Sequence, residues 1–414
     1  MNTPTLRLIF MLSICFCGVF GCSSTPSSYD AGKSAFAEQD YSRAAEHFSS
    51  AIQQKEHVAA AYVYRGLCAR YMGKTDEAMA DFDRAIHADP SYPYGYYNRG
   101  DLYAEQGRWQ EAVPEYTKVI ELGVRDAEIF YVRGSAYFQL GDYRNVIADL
   151  DQCIALDPSN YKAFDNRGAA KDHLGNTSGA LADYEKAIAL CSTNPTSHYN
   201  KGILKAEQGL LQDAIDAFSA ALYIDANYRD ANRDRGWAFF ELGQLDSAFE
   251  DFNRAIEINH ADTGAYYGRG RVYDQRNDQE SALKEFAKAI ELRPDIATYR
   301  VSMGATLLRL QRLDDALREL NKAIELDASQ HFAFYNRALV KEYRNDIDGA
   351  IEDHKKCIAL TADVADAYIS LGLLYAKHKQ DIAEARKILA EGVNKCTEKD
   401  RIDAIKALLK DLSD

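Results

Sequence analysis

The chain has 414 residues, of which 49 are Lys or Arg and 63 are Asp or Glu, so its formal net charge is −14 at pH 7. An acidic balance of this size argues against nucleic acid and anionic lipid surfaces as ligands. Its 8 cysteines include no Cys-x-x-Cys spacing, which argues against a disulfide framework and against a zinc site.

The first predicted element is an export leader at residues 1–21. It carries one charge, Arg7, followed by an apolar run from Leu8 to Phe20. At 1.5 Å per residue such a run reaches about 20 Å, short of the roughly 30 Å hydrocarbon core of a bilayer. The pattern is therefore typical of a secretory signal rather than of a membrane span.

The leader ends in Val19-Phe20-Gly21-Cys22, which resembles the lipobox of bacterial lipoproteins. This resemblance implies an acyl anchor at Cys22, and Ser23 implies sorting to the outer membrane of a Gram-negative cell. The alternative is a plain secretory signal followed by an incidental cysteine. Residues 22–28 consist of Cys22 and a Ser-rich stretch with one Pro, and they are predicted to form a tether.

Residues 29–396 consist of a 34-residue unit, most clearly written at residues 59–92. Two helical patterns in this unit flank the polar break at residues 73–76, and Pro90 ends the second pattern. Each unit is therefore a predicted helical hairpin. The predicted repeats are 25–58, 59–92, 93–126, 127–160, 161–194, 195–228, 229–262, 263–296, 297–330, 331–364 and 365–397, with a capping helix at 398–414.

Three positions of the unit keep their residue type along the chain. Steps of 34 residues from Gly66 meet glycine at ten of eleven positions. Steps from Ala78 meet mostly small residues, and steps from Phe82 meet mostly large apolar ones. Glycine inside a helix costs about 1 kcal/mol relative to alanine. We therefore predict that these glycines let paired helices approach closely, with the Phe82 position buried between them.

A 34-residue period with this pattern of small, aromatic and proline positions resembles the tetratricopeptide repeat family. The resemblance implies an all-α fold, a right-handed superhelical solenoid of about eleven hairpins plus a C-terminal capping helix. It also implies that the first helices line a concave wall. The pattern does not define a particular partner, because the family is defined by packing positions.

Arginine stands before the repeat glycine position in seven repeats, and an acidic residue follows sixteen residues later in each of them. An arginine at a packing position requires a carboxylate partner, so we predict ion pairs between the two helices. This role is architectural. The predicted pairs include Arg65 with Asp81, Arg133 with Asp149, and Arg235 with Asp251.

Aromatic residues recur on the wall that the family resemblance assigns to ligand binding. Tyrosine with its apolar ring and polar hydroxyl suits an extended peptide or a partner helix. The alternative is that tyrosine is simply common at this repeat position. The predicted peptide-binding residues are Tyr97, Tyr131, Tyr199, Trp237, Phe240, Tyr267 and Tyr335.

The sequence contains no motif for catalysis, a cofactor or a metal, so we predict no enzymatic activity, no cofactor and no metal site. The favoured function is a protein–protein interaction scaffold in the bacterial cell envelope. Its partners would be other envelope proteins, and a lipid anchor would hold it at the outer membrane, facing the periplasm. Two alternatives are a lipoprotein that binds a glycan or peptide fragment and a surface-exposed adhesion or virulence factor.

Overall fold

The computed structural model describes residues 26–412, and every regular element within that range is an α-helix. The predicted leader at 1–21 and the predicted acylation site at Cys22 lie outside the described residues. None of the helices between residues 26 and 412 has the length and apolar character that a bilayer crossing requires.

Twenty-three helices fill the described range and fall into two compact units, one up to Leu204 and one from Lys205 onwards. The helices up to this boundary are α1 (Ser28–Ala37), α2 (Tyr41–Gln53), α3 (Val58–Tyr71), α4 (Thr75–Ala88), α5 (Pro93–Glu105), α6 (Trp109–Glu121), α7 (Ala127–Gln139), α8 (Tyr143–Leu156), α9 (Tyr161–His173), α10 (Thr177–Leu190) and α11 (Pro195–Glu207), which contains the boundary. The remaining helices are α12 (Leu211–Ile224), α13 (Arg229–Glu241), α14 (Leu245–Ile258), α15 (Thr263–Gln275), α16 (Gln279–Leu292), α17 (Ala297–Arg309), α18 (Leu313–Leu326), α19 (His331–Tyr343), α20 (Ile347–Leu360), α21 (Ala365–Lys377), α22 (Ile382–Lys395) and α23 (Lys399–Asp411).

Odd-numbered helices up to α21 are the first helices of the hairpins, and even-numbered helices are the second helices. The turn between α3 and α4 shows how the sequence closes a hairpin. Gly73 adopts φ +75°, a left-handed conformation that glycine reaches without the strain a side chain would add. At the turn before α20, the Asp346 side chain accepts a hydrogen bond from the Gly349 N–H at 3.0 Å.

The hairpin helices cross where a glycine on the first helix meets a ring on the second. A Cβ added to Gly66 would lie 2.6 Å from Cε1 of Phe82, closer than real contacts allow. The Phe82 ring is fully buried at this crossing. The predicted close approach is therefore confirmed, because only a residue without a side chain leaves room for the ring.

Four repeats depart from this crossing, and in two of them the only change is that the glycine meets a leucine instead of a ring. Ala338 holds the glycine position in α19, and the buried His354 takes the place of the aromatic ring in α20. In the last hairpin Gly372 faces Leu389, which follows it by seventeen residues instead of sixteen. The extra residue lies before α22 and shifts the packing pattern of that helix by one position.

Both ends of the described range add detail to the predicted boundaries. Ser27 caps α1 by accepting a hydrogen bond from the Asp30 N–H at 3.1 Å. Since Ser28 already begins α1, the last two residues of the predicted tether at 22–28 belong to the first hairpin instead. At the other end, α23 packs against α21 and α22 and buries Ile405 completely.

Candidate functional site

An arginine joins the two helices of the hairpin at the positions that the sequence singled out. Arg65 on α3 donates from Nε and Nη2 to the two carboxylate oxygens of Asp81 on α4, at 2.7 and 2.8 Å. Such a two-point pair satisfies both oxygens of a buried carboxylate. The structure also brings together Arg133 with Asp149 and Arg235 with Asp251 in the same two-point geometry.

The same arginines make a second contact that the sequence reasoning missed. Arg65 Nη1 also donates to Ser49 Oγ on α2 at 3.1 Å, sixteen residues earlier. Each such arginine therefore ties its own hairpin to the second helix of the preceding one. A polar residue at the earlier position was the signal available in the sequence. The other earlier partners are Asp83 of Arg99, Thr117 of Arg133, Asp151 of Arg167, Ser219 of Arg235, Asn253 of Arg269 and Asn321 of Arg337.

Two residues predicted to line a peptide-binding wall are buried instead. The Tyr97 side chain is 2% exposed and packs against Tyr116, with ring centroids 6.1 Å apart. Burial raises the pKa of the Tyr97 hydroxyl well above its usual value. Phe240 is 5% exposed and lies edge-on to Trp237, with centroids 5.6 Å apart. Neither ring offers an open face to a ligand, so both assignments are corrected to core positions.

The other predicted wall residues are partly buried, and their surroundings differ. In the unit up to Leu204, Tyr131 Oη accepts a hydrogen bond from Asn166 Nδ2 on the next first helix at 3.4 Å, and Tyr199 is partly buried. In the other unit, Tyr335 packs against His354, and burial raises the pKa of its hydroxyl to about 12.

Trp237 and Tyr267 are predicted wall residues from successive first helices that the structure brings into contact. Their ring centroids are 5.8 Å apart, on α13 and α15. Tyr299 extends the aromatic surface onto α17, with its ring centroid 4.9 Å from that of Tyr267. Tyr267 Oη and Ser302 Oγ are hydrogen-bonded at 2.9 Å. We call Trp237, Tyr267, Arg271, Tyr299 and Ser302 the tryptophan patch.

Sequence reasoning missed Tyr299 and Ser302 as members of this patch. Both lie in the first two turns of α17, at repeat positions that the family resemblance did not assign to the ligand wall. Their signal was a ring and a hydroxyl placed five and two residues before the repeat Gly304. That signal becomes meaningful only when the neighbouring first helix supplies Tyr267.

Charged groups around the tryptophan patch are mostly paired with one another. Arg233 on α13 forms salt bridges with Asp230, Asp234 and Asp262. Burial opposes its charge, but these carboxylates raise the pKa of Arg233 above its usual value. Across residues 26–412, His, Cys, Asp and Glu side chains nowhere gather into a group of three suited to a metal ion.

Asp274 lies one turn beyond the patch on α15, and its carboxylate is also occupied. It accepts a hydrogen bond from Thr306 Oγ1 at 3.0 Å and forms a salt bridge with Arg309. Both partners come from α17. The tryptophan patch is built from three first helices, because α13, α15 and α17 each contribute one ring.

Family models for the tetratricopeptide repeat match the chain in six segments. The model described as TPR repeat matches residues 70–107, 100–141, 173–209 and 236–275. Two models described as tetratricopeptide repeat match residues 127–160 and 267–331, and together the three cover more than half of the chain. This chain belongs to the tetratricopeptide repeat family. The family is in general one of non-enzymatic scaffolds, and it supports a role in protein–protein interaction.

Solved structures are similar to this tetratricopeptide chain over most or part of its length. The hetero-tetramer Cut9-Hcn1 of the APC/C is 13% identical, covering 94% of this chain and 90% of that chain with a TM-score of 0.52. Yeast Tom70 is 16% identical over 93% of this chain and 95% of that one, with a TM-score of 0.47. YrrB, a TPR protein with an unusual peptide-binding site, is 26% identical. The match covers 44% of this chain and 95% of YrrB, with a TM-score of 0.39.

No curated protein matches the sequence significantly. The predicted all-α tetratricopeptide solenoid fold is confirmed by the helical hairpins of both units, the family models and the shared fold of Cut9-Hcn1.

Proposed function

We propose that this chain is a non-enzymatic scaffold of the bacterial cell envelope that binds peptide segments or partner helices through the tryptophan patch. The observation that carries the proposal is the cluster of partly buried rings on α13, α15 and α17. Large amphipathic rings give much contact area for little lost side-chain entropy, which makes them frequent anchors of protein interfaces.

The rings of the patch are held in place by the core beneath them. Trp237 packs edge-on against the buried Phe252, with centroids 5.2 Å apart, as well as against Phe240. Tyr267 is fixed by its hydrogen bond to Ser302 and by contact with Phe286 at 5.7 Å. A surface fixed in this way loses little conformational freedom on binding, which favours affinity.

A partner-capture experiment tests this surface. Envelope partners are crosslinked to three chains: the wild type, a double variant that combines Trp237→Ala with Tyr267→Ala, and the single variant Tyr223→Ala. Tyr223 is a matched control because it is 93% exposed at the end of the second helix α12. We expect the double variant to lose its partners and the control to keep them. Capture that is unchanged in a folded double variant would contradict the proposal.

We also propose that Cys22 is acylated and holds the chain at the outer membrane, facing the periplasm. The support for this part is the lipobox-like sequence before Cys22. A single acyl chain gives only marginal membrane binding, so stable attachment requires the multiple acylation that bacterial lipoproteins carry. Radiolabelled palmitate should enter the wild-type chain and not Cys22→Ser, which should also leave the membrane fraction. Equal labelling of both would contradict the anchor.

A further inference from the structure

We propose that Arg271 is the receptor for an aspartate or glutamate side chain of the peptide that binds the tryptophan patch. This inference rests on the proposed function and adds the chemistry of the partner. It follows from the way the chain pairs its arginines, from the position of Arg271 against two rings, and from the state of the nearby carboxylates.

Arg271 differs from the other partly buried arginines whose side chains the structure describes. Each of the others forms a salt bridge with at least one carboxylate, whereas no carboxylate within residues 26–412 lies within salt-bridge distance of Arg271. A partly buried guanidinium without a counter-charge is costly, because burial removes some of the water that would otherwise solvate it. The paired arginines are Arg65, Arg70, Arg99, Arg133, Arg167, Arg233, Arg235, Arg269, Arg300 and Arg337.

The guanidinium of Arg271 is held by rings instead of by an acid. Its central carbon lies 5.2 Å from the ring centroid of Phe240 and 5.9 Å from that of Tyr267. Nη1 donates one long hydrogen bond to Tyr267 Oη, at 3.3 Å. Since a guanidinium carries five N–H donors, several of them remain for a ligand. The rings restrict the side chain, so the charge is presented in a fixed place.

The carboxylates nearest to this site along the helices are already paired. Asp274 is bound by Thr306 and Arg309, and Asp234 is bound by Arg233. Each of these carboxylates faces another arginine, and neither forms a salt bridge with Arg271. The ligand is therefore the source of the missing negative charge.

A carboxylate fits this site better than a phosphate group does. A planar guanidinium binds both oxygens of a carboxylate through two parallel N–H donors. A phosphate dianion calls for more than one cation. The other arginines on α13, α15 and α17 whose side chains the structure describes, such as Arg233 and Arg309, are already paired with carboxylates. With Trp237 beside Tyr267, the preferred segment has an acidic side chain next to an aromatic or aliphatic one.

The test uses the full chain with Trp109→Phe, which leaves Trp237 as the sole tryptophan, since the sequence contains 2. Two pools of synthetic nonapeptides are titrated while the emission of Trp237 is followed. One pool has a central Glu and the other a central Gln, with the remaining positions randomised. We expect the Glu pool to bind about tenfold more tightly, the usual size of a hydrogen-bonded charge effect. The preference should weaken as salt is raised.

Three variants in the same background assign the effect to Arg271. Arg271→Gln should bind both pools equally, and Arg271→Lys, which keeps the charge without the planar fork, should retain only part of the preference. Arg276→Gln is the matched control, because it removes the same charge from the residue that directly follows the same helix, where Arg276 pairs with Asp246. Its preference should equal that of the parent chain.

Each outcome bears on the proposal. Equal binding of the two pools by the parent chain overturns the inference, while the change in Trp237 emission that reports this binding would still support the proposed function. An equal loss of preference in Arg271→Gln and Arg276→Gln also overturns it, because the effect would then be one of net charge. If neither pool changes the emission of Trp237, the inference and the proposed function both fail.

Discussion

Arg133 binds both carboxylate oxygens of Asp149, donating from Nε at 2.8 Å and from Nη2 at 2.7 Å between α7 and α8. Its third nitrogen, Nη1, donates to Thr117 Oγ1 on α6 at 3.1 Å. One side chain thus connects three helices from two successive hairpins. The recurrence of this arrangement makes the arginine a connector between repeats as well as within one.

Replacing Asp149 with Ala should destabilise the chain by about 2 kcal/mol, because it leaves the Arg133 guanidinium partly buried without its carboxylate. The paired change Arg133→Met with Asp149→Leu should restore most of the loss, since neither charge then remains buried. Urea unfolding followed by circular dichroism measures both. As a control, Asp216→Ala removes an exposed carboxylate and should have little effect. A double variant no more stable than Asp149→Ala would contradict the argument.

Glycines at the helix crossings should differ in their tolerance of a methyl group. Gly66→Ala should destabilise by about 1–3 kcal/mol, because the new Cβ would overlap the buried Phe82 ring. Gly134→Ala is the matched comparison, since its Cβ would stand 3.3 Å from Leu150, a smaller and more adaptable side chain. There the gain in helix propensity, about 1 kcal/mol, should offset the crowding. Thermal unfolding of the two variants tests this, and equal losses would refute it.

Ala338 and His354 should behave as a coupled pair. The imidazole is shorter than a phenyl ring, which explains why this repeat accepts Ala at the glycine position. His354→Phe should therefore destabilise by about 1–3 kcal/mol through overpacking. Adding Ala338→Gly should recover most of that loss, although Ala338→Gly alone weakens the helix by about 1 kcal/mol. A double-mutant cycle measures the coupling. Strictly additive effects would show that the two positions do not share space.

Asp101 should make stability fall as the pH rises. Burial raises the pKa of its carboxyl to about 6, although Arg70 and the Tyr116 hydroxyl, 2.9 Å away, oppose the shift. Because the folded chain holds this proton more tightly than the unfolded chain, the stabilisation is complete below about pH 4 and is lost as the pH passes about 6. The change is at most about 3 kcal/mol.

Asp101→Asn should remove this part of the pH dependence. Chemical unfolding at pH 4.5 and pH 7 should show a smaller difference between the two conditions for the variant than for the wild type. Glu105→Gln is a suitable comparison, because it removes the more exposed acidic partner of Arg70 and keeps the buried carboxyl. If wild type and Asp101→Asn change by the same amount, Asp101 does not titrate in this range.

The repeat pattern predicted the fold because its decisive contacts are local in sequence. Gly66 and Phe82 are sixteen residues apart, within one hairpin, so their spacing alone identifies both helices and their crossing. Arg65 and Asp81 share that separation. Their contact was indicated because every repeat with this arginine also has an acidic residue sixteen positions later. The same reasoning failed for Tyr97 and Phe240, whose burial depends on the side chains around them rather than on their position in the repeat.

By itself, the sequence determined the hairpin unit, its 34-residue register and the small residues at its crossings, because each is repeated often enough to exclude chance. Only the tertiary structure decided which rings remain accessible and which charges remain without a partner. Arg271 illustrates the difference: its two rings come from α13 and α15, and the carboxylate next to it on α15 is taken by α17. Such a site depends on side chains from three hairpins meeting in space, which no single repeat encodes.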